Sequence, residues 1–105
     1  MDIIKNLEKM IVSGQDNALL RYSLGNEYFR SKKYIEAVKH LNKAVEYDPQ
    51  YSAAWKLYGK ALAANSQTNE AIKAYEKGIA VAEKKGDIQA GKEMNVFLKR
   101  LKNSY

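Results

Sequence analysis

KKYIEAVKHLNKAVEYDPQ, residues 32–50, reads as one complete structural unit. A turn opens it at Lys32-Lys33. Ala37, Val38, Leu41, Ala44 and Val45 then recur at three and four residues, which places them along one face of a helix. Asp48-Pro49 closes it, because proline has no amide hydrogen and its ring clashes with the preceding turn. TNEAIKAYEKGIAVAEKK, residues 68–85, says nearly the same thing. At a shift of 34, Glu36-Ala37 falls on Glu70-Ala71, Lys39 on Lys73 and Lys43 on Lys77. Val38 falls on Ile72, Leu41 on Tyr75 and Val45 on Ile79.

The period extends to the segments in front. Residues 18–51 shift onto 52–85, and Gly25 meets Gly59. Small residues at matched places, Gly25 with Ala37 and Gly59 with Ala71, let two helices approach closely. Apolar spacing predicts six helices, over about 2–12, 18–30, 35–47, 52–64, 70–84 and 88–102. Ser13-Gly14 ends the first, and Asp16 or Asn17 caps the second. Two hairpins, 18–51 and 52–85, therefore stand between a flanking helix at 2–13 and a capping segment at 86–102.

LLRYSLGNEYFRSKKYIEAVKHLNKAVEYDP closely resembles a tetratricopeptide repeat, and AAWKLYGKALAANSQTNEAIKAYEKGIAVAEKK resembles another. The first matches the family pattern with Leu24, Gly25, Tyr28, Ala37, Leu41, Ala44 and Pro49, and departs from it at Arg21. The second matches with Trp55, Gly59, Leu62, Ala71 and Tyr75, and departs at Gly78 and Glu83. Without the proline, the fifth helix is expected to run longer. Glu93 stands where a third glycine would fall on the same period. The ending looks like that of small bacterial members of the family. The resemblance implies an all-α fold, a short right-handed α-solenoid of antiparallel helix hairpins with flanking helices.

One hairpin cannot bury both of its apolar faces, so stacking and end helices are needed. Ile3, Leu7 and Met10 are expected to cover the first repeat. Ile88, Met94, Leu98 and Leu101 are expected to cover the second.

In this family the first helix of each repeat lines an inner, concave face. The positions carried over are Leu19, Tyr22, Ser23, Asn26, Phe29 and Arg30, then Ala53, Lys56, Leu57, Lys60, Ala63 and Ala64. Met94 and Asn95 are expected to close one side. The resemblance implies a protein-interaction module or adaptor that holds a peptide segment of a partner. The expected groove is Tyr22, Asn26, Phe29, Arg30, Lys56, Lys60 and Asn95. Tyr22 and Phe29 offer apolar area, Asn26 offers amide hydrogen bonds to a peptide backbone, and Arg30, Lys56 and Lys60 favour acidic character. The Lys/Asn clamp that one subtype uses for a terminal carboxylate is incomplete here: Tyr22 and Lys60 replace two of its residues.

Composition narrows the function classes. The chain has 105 residues, a formal net charge of +6, one histidine and no cysteine. The absence of cysteine excludes disulfides, thiolate metal sites and cysteine nucleophiles. Neither a signal peptide nor a membrane span is read from it, so a cytoplasmic monomer is expected. His40 and Glu36 share a helix face and read as a surface pair. No constellation for catalysis, metal or cofactor binding is present. The alternative reading is weak nucleic-acid binding through the basic C-terminal helix, where Lys84, Lys85, Lys92, Lys99, Arg100 and Lys102 form a basic bias that Tyr105 ends; it has no base-reading motif.

Overall fold

The computed structural model describes residues 2–103, which form six α-helices and, among the described residues, no strand. They are α1 (Ile3–Val12), α2 (Ala18–Arg30), α3 (Tyr34–Tyr47), α4 (Ser52–Ala64), α5 (Thr68–Lys85) and α6 (Ile88–Asn103). Local chemistry marks their ends. Asp2 caps α1 by accepting from the Lys5 amide at 3.3 Å, and Gly14 leaves the helix at φ 94°. Of the two expected caps of α2, Asn17 serves: its Oδ1 accepts the Leu20 amide at 2.8 Å. Gly86 closes α5 at φ 71°, in the left-handed region that glycine enters without steric cost.

The hairpins α2/α3 and α4/α5 cross at their glycines. A Cβ on Gly25 would stand 2.6 Å from Leu41 Cγ, and one on Gly59 would overlap the ring of Tyr75. Leu24, Ala37, Leu41 and Ala44 are sealed in the first hairpin, and Leu57 and Ala61 bring α4 onto it. Leu62, Ala71, Ala74 and Tyr75 continue the core into the second.

α5 has 18 residues against 14 for α3, the extra turn expected where no proline stops it. That turn changes the register of α6. Leu57 and Ala61 of α4, both buried, correspond to the buried Met94 and Leu98, 37 residues on rather than 34. In this register Glu93 falls on Lys56, Phe97 on Lys60 and Arg100 on Ala63. The place of Gly59 falls on the exposed Val96, not on Glu93 as the shorter period predicts. The face that α4 turns to α5, carrying Trp55, Tyr58, Gly59 and Leu62, becomes Lys92, Asn95, Val96 and Lys99 in α6. No helix follows α6 among the described residues, and that face is exposed.

The end helices differ from expectation in detail. α1 packs on α2 but fully buries none of its residues; Ile3 and Met10 are exposed and Leu7 is half-buried. Its one side-chain hydrogen bond to α2 is from the Tyr28 hydroxyl to Glu8 Oε2, 2.6 Å. At the other end Met94 and Leu98 do cover the second repeat, joined by Ala90, whereas Ile88 is 69% exposed at the start of its helix. Gly78 admits Met94: a Cβ there would stand 2.5 Å from the Met94 sulfur and 2.8 Å from Trp55 Cβ.

Candidate functional site

α2, α4 and α6 lie side by side, and the matched registers align three side chains at each level of their shared inner face. Tyr22, Lys56 and Glu93 form one level. Asn26, Lys60 and Phe97 form the next. Phe29, Ala63 and Arg100 form the third.

At the first level Lys56 Nζ meets Glu93 Oε1 at 2.6 Å, and Gln89 donates to the other oxygen at 3.2 Å. These two donors hold the Glu93 carboxyl below its ordinary pKa. Tyr22 is half-buried, with its ring 5.0 Å from that of Tyr51. Its apolar area is therefore largely spent on joining the first hairpin to the start of α4.

Below that bridge the face opens into a cleft of about 280 Å³ lined by Phe29, Lys60, Ala63, Tyr75, Phe97, Arg100 and Leu101. Lys60 Nζ stands 6.0 Å from the centre of the Phe29 ring and 5.4 Å from that of Phe97, within range of the negative face of each. Phe97 packs in turn on Tyr75, ring centres 5.8 Å apart. The cleft is thus apolar inside, with two cationic side chains among its lining residues.

Of the seven groove residues expected from sequence, Phe29 and Lys60 meet in this cleft. Asn26 lies half-buried one turn before Phe29 on α2. Lys56 is on the same face but is neutralised by Glu93. Arg30 projects outward, its side chain 70% exposed, and pairs with Glu27 at 3.4 Å. Asn95 is on the wrong side of α6: it lines a separate cleft against α5 with Ile79, Gly91 and Lys92. Two residues along a helix turn a side chain about 200°, so Asn95 is opposed to both Glu93 and Phe97. Met94, expected beside it, is sealed in the core. Phe97, Arg100, Leu101 and Tyr75 were missed. The signal for the first three was the long α5, which moves the inner face of α6 by three residues.

His40 does not pair with Glu36. Its Nδ1 faces Arg21 Nη1 at 3.0 Å, and its ring stacks on Tyr28 at 5.5 Å, nearly parallel. The guanidinium donates, so Nδ1 must be the unprotonated, accepting nitrogen. Asp16 holds Arg21 through two bonds of 2.8 Å and accepts from the Tyr47 hydroxyl at 2.9 Å. Burial, followed by the charge of Arg21, keeps the His40 pKa below its ordinary value. Arg21, aligned with Trp55 in the second repeat, therefore replaces an apolar anchor with a hydrogen-bonded one.

The basic residues near the end are divided among different surroundings. Lys85 donates to the Gln50 carbonyl at 2.8 Å, Lys102 lies 3.7 Å from Glu76, Arg100 lines the inner cleft and Lys92 the outer one. Tyr105 lies outside the described residues. No helix among them is long and apolar enough to cross a membrane.

The family model for the tetratricopeptide repeat matches residues 28–93. A TPR repeat-containing protein of Pseudomonas aeruginosa is 50% identical over 99 residues, covering 94% of each chain. A protein of Bordetella parapertussis, solved in solution, superposes with a TM-score of 0.85 at 41% identity, over 99% of this chain and 90% of that one. A tetratricopeptide repeat domain protein of Salinibacter ruber, also solved in solution, gives 0.76 at 25% identity, over 84% and 89%.

Proposed function

The chain belongs to the tetratricopeptide repeat family, and on that premise we propose that its inner face holds a segment of a partner protein along α2, α4 and α6. Repeats of this kind serve in general as protein-interaction modules and non-enzymatic scaffolds. The observation that carries the reading to this face is the cleft between Phe29 and Phe97. Its apolar lining sits on four helices rather than on loops, so binding there orders little of the protein.

The electrostatics favour an acidic segment. Glu93 cancels Lys56, which leaves Lys60 to set the sign at the cleft. Long-range attraction between its ammonium and a carboxylate raises the association rate and weakens with salt. The apolar contacts with Phe29, Ala63 and Phe97 weaken with salt much less.

The test is partner affinity for Phe97→Asp and Lys60→Glu, with Val96→Asp on the outer face of α6 as the control. Phe97→Asp is expected to weaken binding at all salt concentrations. Lys60→Glu should weaken it mainly at low salt, and Val96→Asp should leave it unchanged. Loss with Val96→Asp alone contradicts the reading and moves the contact to the outer face.

A further inference from the structure

Tyr75 carries a detail that packing alone does not explain. It is 2% exposed, and its hydroxyl takes no hydrogen-bond partner among the described residues. Yet no fully sealed side-chain oxygen there is left without a partner. The hydroxyl therefore touches open space, and the space that Tyr75 lines is the inner cleft. The ring reaches it past Gly59, the position where a side chain would overlap its Cε1 and Cζ. In the first repeat the same place is held by Leu41, which seals the crossing with no polar atom. Burial alone raises the pKa of the Tyr75 phenol, so it stays protonated and able to donate.

We propose that this cleft receives a tyrosine side chain of the partner next to a carboxylate. The proposal rests on the inner-face reading above and names what that face selects. Phe29 and Phe97 supply two ring faces for a flat side chain, and Ala63 leaves room between them. At the floor, a phenol is matched to the Tyr75 hydroxyl because each can donate and accept one hydrogen bond. At the mouth, Lys60 has no carboxylate within ion-pair distance among the described residues. Its ammonium rests over two rings, from which a carboxylate can draw it as the side chain enters.

Nuclear magnetic resonance titration of the whole chain with three small probes tests this: N-acetyl-tyrosine, N-acetyl-phenylalanine and N-acetyl-tyrosinamide. N-acetyl-tyrosine should shift the amides of Phe29, Ala63, Phe97 and Leu101. It should bind about fivefold more tightly than N-acetyl-phenylalanine, the effect of one neutral hydrogen bond. It should also bind more tightly than the uncharged amide. Tyr75→Phe keeps the ring and removes one oxygen; it should abolish the preference for tyrosine over phenylalanine and retain the preference for the carboxylate. Lys60→Gln should do the reverse. Equal binding of the two acids by the wild type, a tyrosine preference that survives Tyr75→Phe, or shifts confined to other surfaces would overturn the proposal. Partner cross-linking at Ala63 that persists in any of these cases leaves the inner-face reading intact, so the two failures are distinguishable.

Discussion

Lys56 Nζ and Glu93 Oε1 stand 2.6 Å apart and tie α4 to α6 across the inner face. The pair lies one level away from the cleft and cancels one positive charge of the inner face. Lys56 therefore cannot serve an acidic ligand as its sequence position suggests, unless Glu93 releases it.

Glu93→Gln should release it. The variant is expected to bind an acidic partner segment more tightly at low salt, and the gain should vanish as salt is raised. Affinity measured at two salt concentrations checks this. A gain that ignores salt would place the effect in packing rather than charge.

Gly59→Ala should destabilise the fold. The added methyl gains about 1 kcal/mol of helix propensity, but it overlaps the Tyr75 ring within a sealed crossing, and overpacking costs about 1–3 kcal/mol. Gly25→Ala meets Leu41 in the same way and is expected to follow it. Denaturant melts against the wild type supply the measurement. Alanine variants that match the wild type would mean that the crossings open at little cost.

Met94→Ala should cost about 2–5 kcal/mol, as for a large buried side chain truncated to alanine. The loss is severe against a total stability of roughly 5–15 kcal/mol. Gly78→Ala is expected to be destabilising alone and milder in the Met94→Ala background, since the sulfur that crowds its Cβ is gone. A double-mutant cycle reads that coupling directly; additive losses would show that Gly78 and Met94 do not constrain each other.

Acid should weaken the first repeat in two steps. The folded His40 pKa lies below the ordinary 6.5, so the unfolded chain takes the proton first. Stability is therefore lost as pH falls through 6.5 toward the folded value. Asp16 is lowered from 3.8 to about 2, chiefly by its bond to Arg21, so its contribution is present above 3.8 and lost toward about 2. His40 is the only histidine, so its ring resonances report the first step without overlap. Arg21→Gln should raise its titration midpoint; a midpoint already at 6.5 in the wild type would contradict the buried, Arg21-facing ring.

Helix identity and order were legible because apolar spacing, glycine pairs and Pro49 all gave the same answer. The inner face was legible only where the period holds. Phe29 and Lys60 lie inside residues 18–85 and come together. Asn95 was carried past the end of α5, where one additional turn moves the register by three residues and reverses the side to which it points. The ion pairs that tie different segments together were not legible: Lys56–Glu93 and Asp16–Arg21 join residues 37 and five apart, and neither follows a helical spacing. Tyr75 read as core, which it is; only the structure shows that it also lines the cleft.

The central claim is that a partner segment lies against the inner face. Photo-cross-linking groups placed singly at Ala63 and at Val96 sample the inner face and the outer face of α6 with the partner present. The account predicts one and the same cross-linked partner from position 63 and none from position 96. A cross-link from position 96 with none from position 63 would contradict it.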